Sequence, residues 1–307
     1  MKWFLRVLSS LTGLVFIVSA VSKLYPIEFF ELSFVESNLA NWTLAPFYSR
    51  LLIGLEFFAG LLLLININPK RLVYSSVIGL LVLFSGFLVI QIILQGNTGN
   101  CGCFGEWFKM TPLHGILKNV FLIGVLLVLH YFHSGFQLPY QKILIPGFLI
   151  ATFSLPFILN PVNLSKSLHN GEDVIGYKLD LDILYNHEVN LPPKAELRKG
   201  KWVLAYLSLT CSHCKIAAYK LQVMQKKNPE LPIYFILNGK KEGLAQFYEE
   251  TKSDKVPFSM FIGANEFIKM SGPSLPAIYL IEDQVVKGKA NLYFLDQGLI
   301  EDWLREE

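Results

Sequence analysis

The sequence has few cysteines, and its first half has few charges. Only four of the 307 residues are cysteine. Residues 1–160 contain nine Lys or Arg and five Asp or Glu, whereas residues 161–307 contain 18 and 19. The chain therefore has two halves of different character. Its net charge of +3 is far from the basic footprint of a nucleic-acid-binding protein, so that class is excluded.

The first half of the sequence, where charged residues are few, contains long apolar runs. About 20 apolar residues in a helix span a bilayer core, because a helix satisfies its own backbone polar groups there. Five runs approach this length, and they begin at Phe4, Pro46, Leu72, Gly115 and Ile143. We predict an α-helical transmembrane bundle of five spans. The third, Leu72 to Gln95, has no charged residue, whereas the fifth is short and contains two prolines.

The first run has a second interpretation. A basic start with Lys2 and Arg6, an apolar run and the small residues "VSAVS" also describe a secretory signal peptide. The run is long for that purpose and Lys23 follows it directly, which favours a retained span.

The distribution of Lys and Arg predicts how the chain is oriented. The short turn with adjacent Lys70 and Arg71 favours a cytoplasmic position for that turn. Five spans then place the "NCGCFG" loop and everything after residue 160 on the extracytoplasmic side of the inner (cytoplasmic) membrane. No cysteine is left for the cytoplasm, so thiol exchange alone cannot carry electrons across the bilayer. A membrane quinone or an external thiol protein would have to complete the cycle.

The second half alternates strands and helices, which predicts an α/β domain over residues 175–307 after a linker at residues 161–174. The apolar run Lys201 to Thr210 reads as a buried strand, and "CSHC" opens the helix that follows. "SLPAIYLIEDQVV" holds a later strand that begins at Ala277, and a last strand is predicted at "KANLYFL".

The "CSHC" motif predicts thiol redox chemistry. A cysteine in the first turn of a helix faces aligned amide dipoles that stabilise its thiolate, so Cys211 is the predicted nucleophile. Cys214 lies one turn further and resolves the mixed disulfide, while a protonated His213 would favour the thiolate and raise oxidising power. The alternatives are an inert pair or half of a zinc site. No second C-x-x-C or paired histidines follow, so no metal is predicted there.

Residues 175–307 resemble a thioredoxin-like domain, of the TlpA and thioredoxin superfamily. The resemblance implies that Pro276 is the cis-proline beside the active site and that Leu275 pairs with bound substrate, although a proline at a strand entrance also protects an edge. Two positions depart from the family. Thr210 replaces the usual tryptophan, and Ala205 stands near the usual buried acid, which implies another proton acceptor or another redox poise.

The second pair, "CGC" in the loop between the third and fourth spans, is Cys101 and Cys103. These cysteines can form a disulfide only if the backbone turns, and Gly102 permits that turn. The resulting ring would be strained and exposed, and such disulfides exchange readily. Two packed loop residues or a soft-metal site for Cu(I) are the alternatives.

Residues 1–135 resemble the MauE and DoxX-like membrane family, in "GLVFIVSAVSKLY", "RLLIGLEFFAGLLLL" and above all the "CGCFG" loop. The resemblance implies a four-helix module associated with extracytoplasmic disulfide or sulfur chemistry. Residues 136–160 would then be an added fifth transmembrane helix.

A single acid, Glu56, is predicted in mid-span and needs a partner, for which Lys23 and Arg50 are the candidates. Such a pair is either functional or holds helices together. The aromatic-rich residues 29–42 are predicted to form an interfacial loop.

Taken together, the sequence predicts a membrane-bound extracytoplasmic thiol-disulfide oxidoreductase whose soluble pair exchanges with its loop pair. The direction of electron flow stays open. Its predicted partners are thiol- or disulfide-bearing proteins and the lipid bilayer, with no nucleic acid. A copper-handling or assembly factor using the same thiols is one alternative. A membrane-anchored binding protein, in which Cys211→Ser would be harmless, is the other.

Overall fold

The structure, a computed structural model, describes residues 2–67, 72–97, 100–133, 135, 140–162, 175–186, 192–261, 263–290, 292 and 295–306. The turn with Lys70 and Arg71 and most of the predicted linker lie outside these residues. The chain divides into two compact units, Met1–Val162 and Asn163–Glu307.

The described residues of the first unit form six helices and one short strand. The helices are α1 (Lys2–Leu24), α2 (Ile27–Glu36), α3 (Ala45–Leu64), α4 (Leu72–Gln95), α5 (Pro112–Phe132) and α6 (Gln141–Leu159), and strand β1 is Cys103–Glu106. All helices except α2 are long and apolar enough to cross a membrane, which confirms the five predicted spans. The predicted interfacial loop at residues 29–42 is wrong in its first part, because α2 covers it. Phe30 and Phe34, one turn apart on α2, are buried.

Helices α1 and α3 cross at two glycines. A Cβ atom added to Gly13 would lie 2.5 Å from the carbonyl oxygen of Gly60, and one added to Gly60 would lie 2.9 Å from the carbonyl oxygen of Gly13. Small residues such as glycine let the backbones of two transmembrane helices approach each other closely. The Ser9 hydroxyl of α1 also donates a hydrogen bond to the Leu63 carbonyl of α3, at 3.0 Å.

A second packing relation places the cysteine loop. Helix α4 packs against α5, and α6 packs against α3, while β1 lies against α1 and α2. The loop that joins α4 to α5 is therefore held in the end of the bundle.

The second unit is a five-stranded mixed sheet with helices. Its strands are β2 (Lys201–Ser208), β3 (Ile233–Asn238), β4 (Phe258–Phe261), β5 (Ala277–Glu282) and β6 (Val285–Ala290); its helices are α7 (Ser212–Lys227), α8 (Leu244–Thr251), α9 (Ala264–Ser271) and α10 (Gln297–Arg305). The strand order is β4-β3-β2-β5-β6. Strand β2 is parallel to β3 and antiparallel to β5. A central strand followed directly by a helix, with a parallel neighbour on one side and an antiparallel hairpin on the other, is a thioredoxin-like arrangement.

Both faces of this sheet are buried. Leu204 and Tyr206 of β2 lie in one apolar cluster with Phe267 of α9, whereas Ala205 and Leu207 point the other way and are also fully buried. Strand β6, Val285–Ala290, begins earlier than the strand predicted at "KANLYFL", and residues 291, 293 and 294 of that run lie outside the described residues. The pair Asp283 and Gln284, both with positive φ, makes a tight turn, so the strand starts directly after it.

Candidate functional site

The first cysteine of "CSHC" lies at the N-terminus of helix α7. Strand β2 ends at Ser208, and Cys211 is the N-cap residue of α7, with φ −81° and ψ 121°. Its Sγ accepts a hydrogen bond from the backbone N–H of Cys214, at 3.3 Å. Backbone amides at a helix start stabilise negative charge, and the Cys211 sulfur lies at such a start.

The second cysteine of the motif differs in its environment. The Cys214 side chain is fully buried, whereas Cys211 is partly exposed. Burial raises the pKa of the Cys214 thiol, and its hydrogen bond with Cys211 acts in the same direction. An accessible sulfur and a buried, protonated one can attack and then resolve a mixed disulfide in turn.

Pro276 lies at the same end of the sheet as Cys211. In the antiparallel register Tyr206 of β2 is opposite Ala277 of β5, so β5 begins where β2 approaches its carboxyl end. The Leu275–Pro276 peptide bond is cis, which is the geometry that the resemblance implies. Leu275 and Pro276 are partly exposed at this edge.

The residues between and around the two cysteines have different environments. His213 is exposed in the first turn of α7, and the hydrogen bond described at Cys211 comes from the Cys214 amide. Ala205 is fully buried in β2 and brings no acid. Sequence analysis missed an ion pair one residue after Cys214, in which Lys215 Nζ lies 2.6 Å from Glu250 Oε2 of α8.

The loop pair is fixed by a turn and by Asn100. Gly102 has φ +70°, so the predicted turn is present, and the Cys103 N–H donates to Cys101 Sγ at 3.3 Å. Asn100 Nδ2 donates to the Gly105 carbonyl at 2.7 Å, and Asn100 Oδ1 accepts from the Gly102 N–H at 3.2 Å. Sequence analysis missed Asn100, although asparagine is a common turn residue because its side chain can hydrogen-bond the backbone two residues further on.

Two further glycines seat the loop against helices. Gly105 has φ +53°, and a Cβ atom there would clash with the Ser22 carbonyl oxygen of α1. A Cβ atom on Gly115 of α5 would lie 2.9 Å from Cys103 Sγ and 3.3 Å from Cys101 Sγ. The expectation that both sulfurs are exposed is therefore wrong, because Cys101 is only 4% exposed and Cys103 is half-buried.

A buried polar network holds the backbone of Cys103. Lys23 Nζ of α1 lies 2.8 Å from Glu56 Oε2 of α3, which confirms Lys23 as the predicted partner; Arg50 pairs with Glu31 instead. Lys23 Nζ also donates to the Cys103 carbonyl oxygen at 2.7 Å, and Ser19 Oγ donates to the same oxygen at 2.9 Å. A buried ion pair recovers its desolvation cost only with such additional hydrogen bonds.

The two loop thiols have different proton affinities. A hydrogen bond between the two thiol side chains lowers the pKa of Cys103 to about 7; burial opposes this effect, whereas the positive charges of Lys118 and Lys23 add to it. The same hydrogen bond, together with burial, raises the pKa of Cys101. Among the described residues no group of three or more His, Cys, Asp and Glu side chains could hold a metal ion.

One protein family resembles the first part of the chain, and one known protein resembles most of it. Residues 1–132 match the sequence model of the family described as methylamine utilisation protein MauE. The protein TlpB of Flavobacterium psychrophilum is 29% identical, over 80% of this chain and 79% of its own length.

Two solved structures resemble parts of the chain at low identity. One is a secreted Mycobacterium tuberculosis disulfide oxidoreductase described as homologous to E. coli DsbE, with 15% identity and a TM-score of 0.28 over 34% of this chain and 80% of its own. The other is the thioredoxin domain of a Bacteroides vulgatus thiol-disulfide oxidoreductase, with 13% identity and a TM-score of 0.29 over 35% and 81%.

Proposed function

We propose that this chain, which joins a MauE-like multi-pass membrane module to a thioredoxin-like domain, is an extracytoplasmic thiol-disulfide oxidoreductase. One observation carries the proposal. Cys211 Sγ, at a helix start, accepts a hydrogen bond from a backbone N–H. Cys214, one turn later, is buried and its thiol has a raised pKa. This is the asymmetry that a disulfide-exchange site requires.

The soluble pair works in two steps. The Cys211 thiolate attacks one sulfur of a partner disulfide, a new S–S bond forms, and the other partner sulfur leaves as a thiolate and takes up a proton. The Cys214 thiol loses its proton and attacks Cys211, which releases the second partner sulfur. Two electrons pass to the partner, and the soluble pair is left as a disulfide. The reverse sequence oxidises a partner, and the relative reduction potentials decide the direction.

Leu275 and Pro276 hold the partner backbone during this exchange. They lie at the edge of the sheet where β5 begins, the end that the register shares with Cys211. An extended segment of the partner pairs with the backbone of Leu275, which brings its disulfide to Cys211. His213, exposed in the first turn of α7, adds positive charge near the thiolate when it is protonated.

The loop pair, Cys101 and Cys103, is the second station of the proposed cycle and exchanges with the soluble pair. Electrons then pass between the loop pair and a membrane quinone or an external thiol protein. Two thiols next to a buried ion pair in the end of a membrane bundle support a redox station there.

Trapping tests the exchange directly. In Cys214→Ala the resolving sulfur is absent, so Cys211 should accumulate as a mixed disulfide that mass spectrometry can assign. We expect the loop pair as one partner of Cys211 and extracytoplasmic proteins as others. Cys211→Ala/Cys214→Ala is the matched control and should trap nothing.

Two results would change this view. Capture of external proteins alone would retain the oxidoreductase and reject the internal exchange. A Cys214→Ala protein that captures nothing, while Cys211→Ser has no effect in cells, would contradict the enzyme class.

A further inference from the structure

The two sulfurs of the loop pair have unequal access. Cys101 is almost fully buried, and its backbone N–H donates to the Met110 carbonyl at 2.8 Å. Cys103 is half-buried at the start of β1. In disulfide exchange the attacking sulfur approaches along the axis of the S–S bond that breaks. A partner sulfur can therefore reach Cys103 more readily than Cys101.

A cation lies on the helix face that meets these sulfurs. Gly115 of α5 faces both sulfurs, and Lys118 lies three residues later, on the same face of the helix. Lys118 Nζ lies 4.7 Å from the ring centroid of Phe104, the residue after Cys103. Its charge acts on both loop thiols and favours their ionised forms.

Other charged side chains also lie around the loop pair. Lys23 and Glu56 form a buried ion pair with opposite effects on Cys103. Helix α2 also packs against β1 and brings Glu28, Glu31 and Glu36. Glu31 is engaged by Arg50.

Two more titratable side chains border the loop. His114, in the first turn of α5, shares a hydrogen bond with the Thr111 hydroxyl at 2.7 Å. Lys109 lies in the loop itself. Among the charged side chains, Lys118 has the largest effect on the pKa of Cys103.

One contact opposes a preference for Cys103. The Cys103 N–H donates to Cys101 Sγ and so favours a Cys101 thiolate. It is a single contact at 3.3 Å, whereas burial opposes ionisation of both thiols and does not separate them. The balance of access and charge favours Cys103.

We propose that Cys103 is the sulfur through which the loop pair exchanges, that Cys101 resolves, and that Lys118 is the positioning residue that stabilises the Cys103 thiolate. This assignment rests on the proposed exchange function and extends it. In the reduced loop, Cys103 thiolate attacks the Cys211–Cys214 disulfide at Cys211, and Cys214 leaves and is protonated. Cys101 then loses its proton and attacks Cys103, which closes the loop disulfide and releases Cys211 as a thiolate. Two electrons move from the loop pair to the soluble pair, and the reverse path uses the same sulfurs.

The pH dependence of alkylation tests the assignment. The reduced full-length protein is treated briefly with iodoacetamide from acidic to alkaline pH, and fragment mass spectra report Cys101, Cys103 and Cys211 separately. We expect Cys103 to react at lower pH than Cys101. In Lys118→Met the midpoint for Cys103 should rise by about one pH unit, which is about tenfold slower alkylation below the midpoint.

Two variants make the comparison specific. Lys118→Arg keeps the charge and should keep the midpoint. Lys142→Met removes an exposed cation of α6 and should leave it unchanged. Preferential alkylation of Cys101, or a Cys103 midpoint that Lys118→Met does not move, would overturn the proposal.

Trapping separates this assignment from the proposed function. In the Cys214→Ala background, Cys103→Ser should abolish the internal mixed disulfide, whereas Cys101→Ser should preserve it. Trapping on Cys101 would reject the assignment and keep the function. Because iodoacetamide needs no soluble pair, alkylation decides the assignment even if the internal exchange is absent.

Discussion

Gly115 faces the two sulfurs of the loop, and its missing side chain lets them lie against helix α5. A Cβ atom there would lie 2.9 Å from Cys103 Sγ and 2.8 Å from Leu88 Cδ1. Both distances are shorter than real Cβ contacts, so an added methyl group must displace the Cys103 sulfur and the end of the Leu88 side chain. The reactivity of the loop pair therefore depends on a residue that carries no chemistry.

We predict that Gly115→Ala slows exchange through the loop pair at least about tenfold, because small displacements of reacting atoms have large effects on rate. The measurement is the rate at which the reduced protein, in a Cys211→Ser/Cys214→Ser background, reduces an added disulfide. Gly124→Ala on the same helix, where nothing lies within 4 Å of the added Cβ, is the matched control. Equal rates for the two alanine variants would refute the prediction.

The packing of one helix on another also depends on glycines that allow close contact. Helices α1 and α3 meet at Gly13 and Gly60 with backbone atoms in contact. These two helices also carry Lys23 and Glu56, the pair that holds the Cys103 carbonyl. The crossing of α1 over α3 therefore sets both the stability of the bundle and the position of the loop.

At this scale, Gly13→Ala should destabilise the first unit by about 1–3 kcal/mol, as overpacking does elsewhere. Its Cβ would lie 2.5 Å from the Leu64 backbone nitrogen, which cannot move independently of its helix. Unfolding of the purified protein in detergent by heat or denaturant would report the change. Gly79→Ala on α4 has open space around its Cβ, and a loss of stability there as large as for Gly13→Ala would argue against crossing geometry as the cause.

The whole molecule places its two reactive pairs on different units of one chain. Cys101 and Cys103 belong to the first unit, and Cys211 and Cys214 to the second. In the proposed topology, five spans run from an inner amino terminus to the second unit and bring both pairs to the same side. The proposed exchange depends on this sidedness.

Labelling in intact cells tests the sidedness. After reduction, an impermeant maleimide should modify Cys103 and Cys211 without permeabilisation, because the proposed topology places both on the extracytoplasmic side. Lys142→Cys, placed at the predicted cytoplasmic end of α6, should react only after permeabilisation. If Cys103 and Cys211 were labelled from opposite sides, the internal exchange would be impossible.

The sequence alone was sufficient for much of the fold. Apolar length identified the five spans, because a bilayer imposes that length. Alternating elements around "CSHC" identified the α/β domain and placed Cys211 at a helix start. The identity of α2 was missed, because its aromatic residues also suit a membrane interface, and β6 was placed too late, because the turn at Asp283 and Gln284 was not recognised.

What the sequence determined is therefore local: span length, helix start, and the two motifs that carry the sulfurs. The tertiary structure alone decided which sulfur is buried and which charge lies near it. Gly115 and Lys118 lie on a helix beyond the "CGC" motif, and Lys23 is some 80 residues from Cys103 along the chain. Burial and charge act through space, so residues distant in sequence set the reactivity of each thiol.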